Sequence, residues 1–426
     1  MAMRSVGIRV LVAQLFVSIA SRATANDWPA LRGPGGLGVS LEKSLPTKWS
    51  ATGNIAWKAD LPGAGVSSPI VVGDRIFVTC FSGFGMPGQR GGNMSDLVRH
   101  VACLDRKSGK LLWTKEVPSK LPEQVGMRED HGYASSTPAA DSERVYAFFG
   151  VSGVFAFDHA GKQLWHADVG QRLNPNKWGS AAALGLYGDL VLVNASSESD
   201  SLIALNKKTG KEVWRTPGIR ESWHMPVAAS VDGKVEIIIA ILGKVFGVDP
   251  SNGEKLWSCN TDIGWYMVPC PVVDGGIVFC LGGRDGTVGM AVRAGGRGDV
   301  TRTHRLWTSK KGSNVTSPVF HDGHLYWMND QRGVAYCAEA KSGRVVYEER
   351  IPGASQTYAS PILADGKIYY TDRSGKTFIV AARPSFELLG QNSLGNRLMV
   401  NASPTVADGR LLMRVDRHLY CIGEAR

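Results

Sequence analysis

The sequence predicts an all-β fold of a particular kind: a closed eight-bladed β-propeller of four-stranded antiparallel blades, with seven blades as the alternative. Three observations predict it. A short pattern returns along the chain. Its copies lie roughly 43 residues apart, the spacing of a propeller blade. Helical periodicity is hard to find, and short apolar runs end in Gly, Asp or Asn, the punctuation of strands. The pattern is clearest as Asp105, Gly109 and Trp113. It recurs as Asp158, Gly161 and Trp165, as Asn206, Gly210 and Trp214, and as Asp249, Gly253 and Trp257. A degraded copy carries Glu339, Gly343 and Tyr347. Each copy reads as a hairpin. One strand ends at the acid or amide, Gly takes the positive-φ turn position, and the next strand carries an aromatic inward. One hairpin cannot bury its own apolar face, so equal units must stack.

In chain order, residues 1–25 read as a secretory signal. Arg4 and Arg9 form a basic start, residues 10–20 a short apolar core, and Ala23-Thr24-Ala25 a cleavage site. The core is shorter than the ~20 residues a membrane-spanning helix needs. No Cys lies near the cleavage site to carry a lipid. Residues 26–53 form a Pro- and Gly-rich leader, expected to lie extended across the domain. The propeller is expected over 54–426. Its first strand, around Trp57, matches the outermost strand of a blade but has no partners before it.

The blades then open at a Ser-Pro or its equivalent, near Pro69, Pro138, Ala182, Pro226, Pro269, Pro318, Pro361 and Pro404. Each reads as strands A to D with an Asp-Gly or similar A–B turn. The last copy ends at Cys421 without strand D. The strand around Trp57 supplies it, which closes the ring and removes its free edges.

The formal charge is +10. Removing Arg4, Arg9 and Arg22 leaves 45 of the 48 basic residues against 38 acidic ones, a net +7. The basic residues are scattered, so no nucleic-acid stripe is expected. The mild positive charge favours an acidic or polysaccharide partner. Seven cysteines in an exported chain suggest disulfides. Two residues before the turn acid, however, stand Cys103, Ala156, Ala204, Gly247, Ala291, Cys337, Ala381 and Cys421, all small. Cysteine there fills a small slot, so buried free thiols are expected.

The pattern D-x-x-(T/S)-G-(K/E)-x-x-W resembles the pyrroloquinoline-quinone (PQQ) propeller repeat over roughly residues 54–426. That repeat occurs in quinoprotein alcohol dehydrogenases and in the propeller lipoprotein of the outer-membrane barrel assembly machinery, BamB. The leader Trp28-Pro29-x-x-Arg32-Gly33-Pro34 is similar to that of secreted bacterial propellers of the PQQ-binding-like kind. The resemblance implies the fold, not PQQ binding, because the repeat Trp and Gly are expected to do structural work inside each blade.

Chemistry is expected on the face shared by B–C turns and D-to-A links. Blade 1 carries the longest departures there, at residues 81–97 and 117–134. Aromatics recur in the links into blades 2 to 5: Tyr133, Trp178, Trp223 and Trp265, with His131, His224 and Tyr266 beside them. Arg172, Lys177 and Arg220 are close in sequence. These ten residues are the candidate site, an aromatic floor with a few polar groups; packing between blades is the alternative use of the aromatics. The pairs Arg284-Asp285, Asp330 with Arg332, Asp372-Arg373 and Asp416-Arg417 read as local turn bridges or Asx-turns. Gly83-Phe84-Gly85-Met86-Pro87-Gly88 spells a dinucleotide fingerprint, but Pro87 forbids the helix that would hold the phosphates. Arg297-Gly298-Asp299 and His321-Asp322-Gly323-His324 are read as turn sequence.

The leading expectation is an exported, non-catalytic propeller scaffold, periplasmic or extracellular and monomeric. It binds a protein or polysaccharide through its loop-rich face and uses no cofactor or metal. A quinoprotein-like oxidoreductase is the alternative. The resemblance would then imply PQQ with Ca2+, stacked on Trp223, Trp265 or Trp178. Against it, the chain has no vicinal cysteine pair and no assignable base or Ca2+ ligands. A carbohydrate-active propeller would need paired carboxylates, for which Glu129, Asp130, Glu221 and Asp262 lie in suitable links.

Overall fold

The computed structural model describes residues 27–127, 131–284, 286–395 and 399–424. The expected signal segment, and Glu129, Asp130 and Asp285, lie outside the described residues. The strands form eight separate sheets, each with the four antiparallel strands of a propeller blade. Blade 1 runs Ile70–Val72, Arg75–Ser82, Val98–Asp105 and Leu111–Pro118, from the axis outward. In blade 8 the inner strands are Thr405–Ala407, Arg410–Val415 and His418–Ile422, and the outer strand is Ile55–Asp60, with Trp57 opposite Cys421. The ring therefore closes by the strand around Trp57, as expected. Two sheets gain a fifth, parallel strand. Val39–Ser40 of the leader lies inside the inner strand of blade 7. Gly298–Asp299, from an insertion in blade 5, covers the outer strand of blade 4.

The repeat works between blades, which corrects the expectation that it works within one. A Cβ on Gly253 of blade 4 would stand 2.7 Å from the indole of Trp214 of blade 3, and Gly210 and Gly343 meet Trp165 and Trp307 in the same way. Four indoles also donate to a carbonyl of the next blade's turn, Trp113 to His159, Trp165 to Lys207, Trp214 to Pro250 and Trp307 to Ala340, at 2.8–3.0 Å, whereas Trp257 donates to Glu236 of its own blade. Gly is required because its φ is positive and its face is covered by the ring of its neighbour. The small slot on strand C lies opposite the Trp on strand D, and a register shift next to each Trp tilts the indole onward. Blade 7 departs from the expected slot. The residue in register is Ile379, not Ala381, and it faces Gly390. The large and small partners have changed places across the pair. All seven cysteines are buried free thiols.

Two blade starts also move. Cys270-Pro271 precedes the inner strand Val272–Asp274, as Ser317-Pro318 precedes Val319–His321, so the equivalent residue is Pro271 rather than Pro269. In blade 3 the strand Gly185–Tyr187 makes Ala183-Leu184 the equivalent pair.

The leader enters the ring from the side of the A–B turns. Trp28 bridges the inner strand of blade 1 at Val71, and Pro29 accepts from Ala140 of blade 2. Arg32 is fully buried. Its guanidinium donates to the carbonyls of Pro318, Pro361 (2.5 Å) and Leu37, and burial lowers its pKa to about 10. Across the closing junction, Arg106 holds Asp408 through two bonds of 2.7 and 2.8 Å. Buried Arg414 of blade 8 reaches Ser67 and Thr79 of the chain entering and forming blade 1.

Candidate functional site

Each D-to-A link descends to the axis and passes its residues into the channel at a fixed register. Immediately before the Pro position stand Ser68, Thr137, Ala183, Met225, Cys270, Ser317, Ser360 and Ser403. Where the residue is Ser or Thr, its hydroxyl accepts the backbone N–H of a neighbouring blade at the same level. Cys270 N–H donates to Ser317, Ser317 to Ser360, Ser360 to Ser403, Ser403 to Ser68 and Ser68 to Thr137, all at 2.9–3.0 Å. These bonds satisfy backbone donors that the inner strands leave without a ladder partner. Two residues upstream stands a second ring: Val66, Ser135, Ala181, Trp223, Val268, Val315, Tyr358 and Asn401. All eight line the channel, and Leu31 of the leader lies at its floor.

Above this ring, on the B–C side, the links into blades 3, 4 and 5 bring four aromatics together. Trp178 stands edge-on to Trp223 with centroids 5.7 Å apart, and 4.4 Å from Tyr266. Tyr266 is edge-on to Trp223 at 5.4 Å and lies 5.1 Å from Trp265. In each link a non-glycine residue just ahead of the Trp takes a left-handed turn: Lys177 (φ 58°), Glu221 (φ 51°) and Asp262 (φ 58°). Such turns cost about 1 kcal/mol each and recur where a side chain must be aimed. The Trp223 indole donates to the Gly179 carbonyl at 2.8 Å, which ties two links together.

These rings wall a cavity of about 570 Å³, open mouth included, lined by His131, Trp178, Ala181, Trp223, Tyr266, Val268, Asn314, Val315 and Tyr358. Among the described residues no side chain of permanent charge lines it. Arg373 stacks on Tyr358 at 4.5 Å and Arg284 approaches Trp265 at 5.8 Å, but neither belongs to the lining. His131 also lines a second hollow, with Pro87 of the long blade 1 loop and with Asn401, Arg414 and Asp416. The two long segments of blade 1 therefore flank one side of the mouth.

The other expected residues lie outside this cavity, although His224 lines the channel below it. Tyr133 is buried beside Phe81 and Phe84, and its hydroxyl donates to the Gln124 carbonyl. It anchors the blade 1 loop and does not reach the cluster. His224 is fully buried. Burial lowers its pKa, its Nδ1 meets the Met225 carbonyl and its Nε2 accepts from Ala240 N–H. That neutral ring is a backbone clamp. Arg172 and Arg220 converge on Asp200 in a separate rim pocket with Asn174, Ser196 and Ser197. Lys177 contributes its turn. Asp330 and Asp372 are buried and accept link N–H groups from Asn314 and Ser355, so they pin links. Asp372 also forms the expected Asx-turn, through Ser374.

Sequence reasoning did not single out Asn314, Val315 and Tyr358. Aligning the copies on Ser-Pro and reading two residues upstream would have found Val315 and Tyr358. Among the described residues no three His, Cys, Asp or Glu side chains converge. The buried Glu198 has the Ser180 hydroxyl as its side-chain partner, and burial raises its pKa to about 7. A Ca2+ ion wants six to eight oxygens, and PQQ carries three carboxylates. This neutral lining and isolated acid do not fit that pair.

The profile of the family described as outer membrane protein assembly factor BamB matches residues 39–171 and 98–349. The quinoprotein alcohol dehydrogenase PedH of Pseudomonas putida is 34% identical over 117 residues, which are 25% of this chain and 19% of that enzyme. The chain thus spans 19% of PedH and 54% of a tetrathionate hydrolase of Acidithiobacillus ferrooxidans, which is 23% identical over 287 residues. The structure of BamB from Moraxella catarrhalis superposes with a TM-score of 0.58 at 15% identity, over 86% of this chain and 96% of that one. A europium-containing methanol dehydrogenase gives 0.62 at 14% identity, over 92% and 90%. At such identities the two structures share the fold with this chain.

Proposed function

This chain belongs to the PQQ-repeat propeller family described as outer membrane protein assembly factor BamB, and from that premise we propose that it is an exported, non-catalytic binding propeller. It works in the periplasm or outside the cell as a monomer and receives a protein or polymer partner on its loop-rich face. One observation carries this reading. The cavity on that face is walled by four aromatics, and among the described residues no carboxylate, lysine or arginine lines it. Aromatic walls supply binding energy with little polar machinery, whereas acid–base chemistry needs a titratable group aimed at a reacting atom. The links also hold Glu221 and Asp262, the remaining candidates for a carboxylate pair. Asp262 is engaged by Arg305 at 2.6 Å, and neither lines the cavity.

The similarity to PedH favours the oxidoreductase alternative, so the test is set between the two. The full chain is titrated with PQQ, with and without Ca2+, by calorimetry, and assayed for dye-linked alcohol oxidation. The binding reading expects no saturable heat and no turnover. Micromolar PQQ binding that Trp223→Ala with Trp265→Ala abolishes would replace it with the oxidoreductase.

A further inference from the structure

The rim pocket around Asp200 is built from donors that lack partners. There the B–C turn of blade 3, residues 196–200, meets the links into blades 3 and 4. Arg172, Asn174, Ser196, Asp200, Arg220 and Glu221 line a space of about 590 Å³, open mouth included. Asn174 is 6% exposed. Its Oδ1 accepts the Asn176 N–H at 3.0 Å, an Asx-turn that fixes which end of the amide is which. Its Nδ2 has no acceptor among the described residues and keeps contact with the pocket. Ser196 is 5% exposed. Its Oγ accepts the Ser222 N–H at 3.2 Å, and its own proton has no acceptor among the described residues. Arg172 and Arg220 each spend one guanidinium N–H on the same oxygen, Asp200 Oδ2, the second at 3.1 Å. Their other guanidinium N–H groups have no partner among the described residues. Buried donors are rarely left unmade without a reason.

We propose that this pocket binds a uronic-acid residue of an acidic polysaccharide. The sugar carboxylate meets the Arg172 and Arg220 forks and the Asn174 amide, and the sugar hydroxyls are shared between Ser196 and the two acids. A guanidinium fork matches a carboxylate in shape and charge. Glu221 has no hydrogen-bond or ion-pair partner among the described residues, and burial and the Asp200 charge raise its pKa. Glu221 and Asp200 supply acceptors, and a sugar hydroxyl both donates and accepts. Charge selects the class of ligand. Two arginines stand against two acids, so this lining is balanced before anything binds. A phosphate would set up to two charges against Asp200 and Glu221 and offers no row of hydroxyls to use them. A neutral sugar would leave the arginine forks unused. The neighbours favour a polymer. The two links that line the pocket carry Trp178 and Trp223 within four residues of Asn174 and Glu221, so a chain seated at Arg220 has aromatic surface along which to continue. The positive balance of the chain attracts such a polymer. This inference rests on the binding reading and narrows it: the partner is a polymer, and the polymer is acidic.

The test titrates the full chain in about 0.15 M salt, where loose charge attraction is screened. The ligands are trimers of galacturonate, mannuronate and guluronate, the methyl ester of each, maltotriose, tetra-aspartate and inorganic phosphate. Calorimetry and saturation-transfer NMR give the affinities. At least one uronate is expected to bind, and its methyl ester about tenfold more weakly, through loss of charge-assisted bonds. Arg220→Gln, at a side chain 71% exposed, should lose the same margin. Asn174→Asp keeps the Asx-turn acceptor, puts a carboxylate oxygen in place of the donor, and should abolish binding. Unfolding midpoints show whether each variant is folded, and Arg220→Gln carries the test if Asn174→Asp is not. Absence of binding by every uronate, equal binding of acid, ester and maltotriose, or folded variants that bind as the wild type does overturns the inference. Tetra-aspartate or phosphate binding as tightly as the best uronate overturns it in favour of an acidic protein or a free anion. PQQ binding that depends on Trp223 and Trp265 would overturn the binding reading instead. Neither Trp lines the rim pocket, so the variant that abolishes each ligand tells the two failures apart.

Discussion

The two halves of the inner ring are built differently. From blade 5 through blades 6, 7, 8 and 1 to blade 2, neighbouring links are laced by hydroxyl-to-backbone bonds, one at each junction. At blades 3 and 4 the same positions are Ala183 and Met225, and the lacing stops. The links into blades 3, 4 and 5 take left-handed turns at Lys177, Glu221 and Asp262 and project Trp178, Trp223, Trp265 and Tyr266 above the channel. The leader fills the gap below: a Cβ on Gly36 would stand 2.9 Å from Met225. One stretch of the ring is laced by hydroxyls, and the other ties its links by backbone bonds, Trp223 N–H to the Met267 carbonyl and Met267 N–H to the Glu221 carbonyl, beneath large side chains. Symmetry in a repeat fold marks where stability resides, and its loss marks where selection had another purpose.

That contrast can be broken in graded steps. The largest effect should come from the closing junction on the laced side. Arg414→Ala removes a buried guanidinium from the Ser67 and Thr79 oxygens and should cost about 4 kcal/mol in urea unfolding. Trp178→Ala on the other side should cost about 1 kcal/mol, and a comparable loss there would erase the distinction. Next comes pH. Glu198 lies beside the link into blade 3, and burial, with a lesser push from Glu123, raises its pKa from 4.5 to about 7 against the pull of Ser180. The folded state therefore prefers the protonated acid. That contribution is complete below pH 4.5 and is lost as pH rises through 7. Glu198→Gln should match the wild type at pH 4 and exceed it by about 3 kcal/mol above pH 8; a constant difference across that range would refute the assignment.

A third step tests the turn glycines. Gly253→Ala combines a φ of +78° with a Cβ 2.7 Å from Trp214 and should cost about 3 kcal/mol. Gly366→Ala, at φ +68° in open space, should cost about 1 kcal/mol from backbone strain alone. The gap between them in thermal unfolding measures the Trp contact. The smallest effect belongs to one lacing bond. Ser360→Ala leaves the Ser317 N–H unpaired and should cost about 1 kcal/mol.

The fold was legible because its determinants are local and repeated. The Asp or Asn, the Gly and the Trp of each hairpin lie within nine residues, and the missing outer strand of blade 8 pointed to Trp57. What the Trp touches was not legible, because Trp214 and Gly253 meet through stacking of units, and one copy shows no neighbour. The exchange of sizes between Ile379 and Gly390 was hidden for a related reason: strand register, not spacing from the turn, selects the facing residue. In the candidate site the Trp residues of blades 3 to 5 stood out by type. Tyr133 and His224 share their links but turn into packed interior, and sequence proximity does not reveal which way a link side chain points.

The borrowed strand of blade 8 also sets an order of events. Residues 55–60 leave the ribosome first among the strands of the ring, and their partner at 418–422 leaves last. The strand carrying Trp57 must stay unpaired until the blades between it and its partner are made, and blade 1 must wait for Asp408 and Arg414 before its junction can lock. Contacts separated by so much chain form slowly. A ring closed through strands so far apart in the chain can lock only after every blade between them has been made.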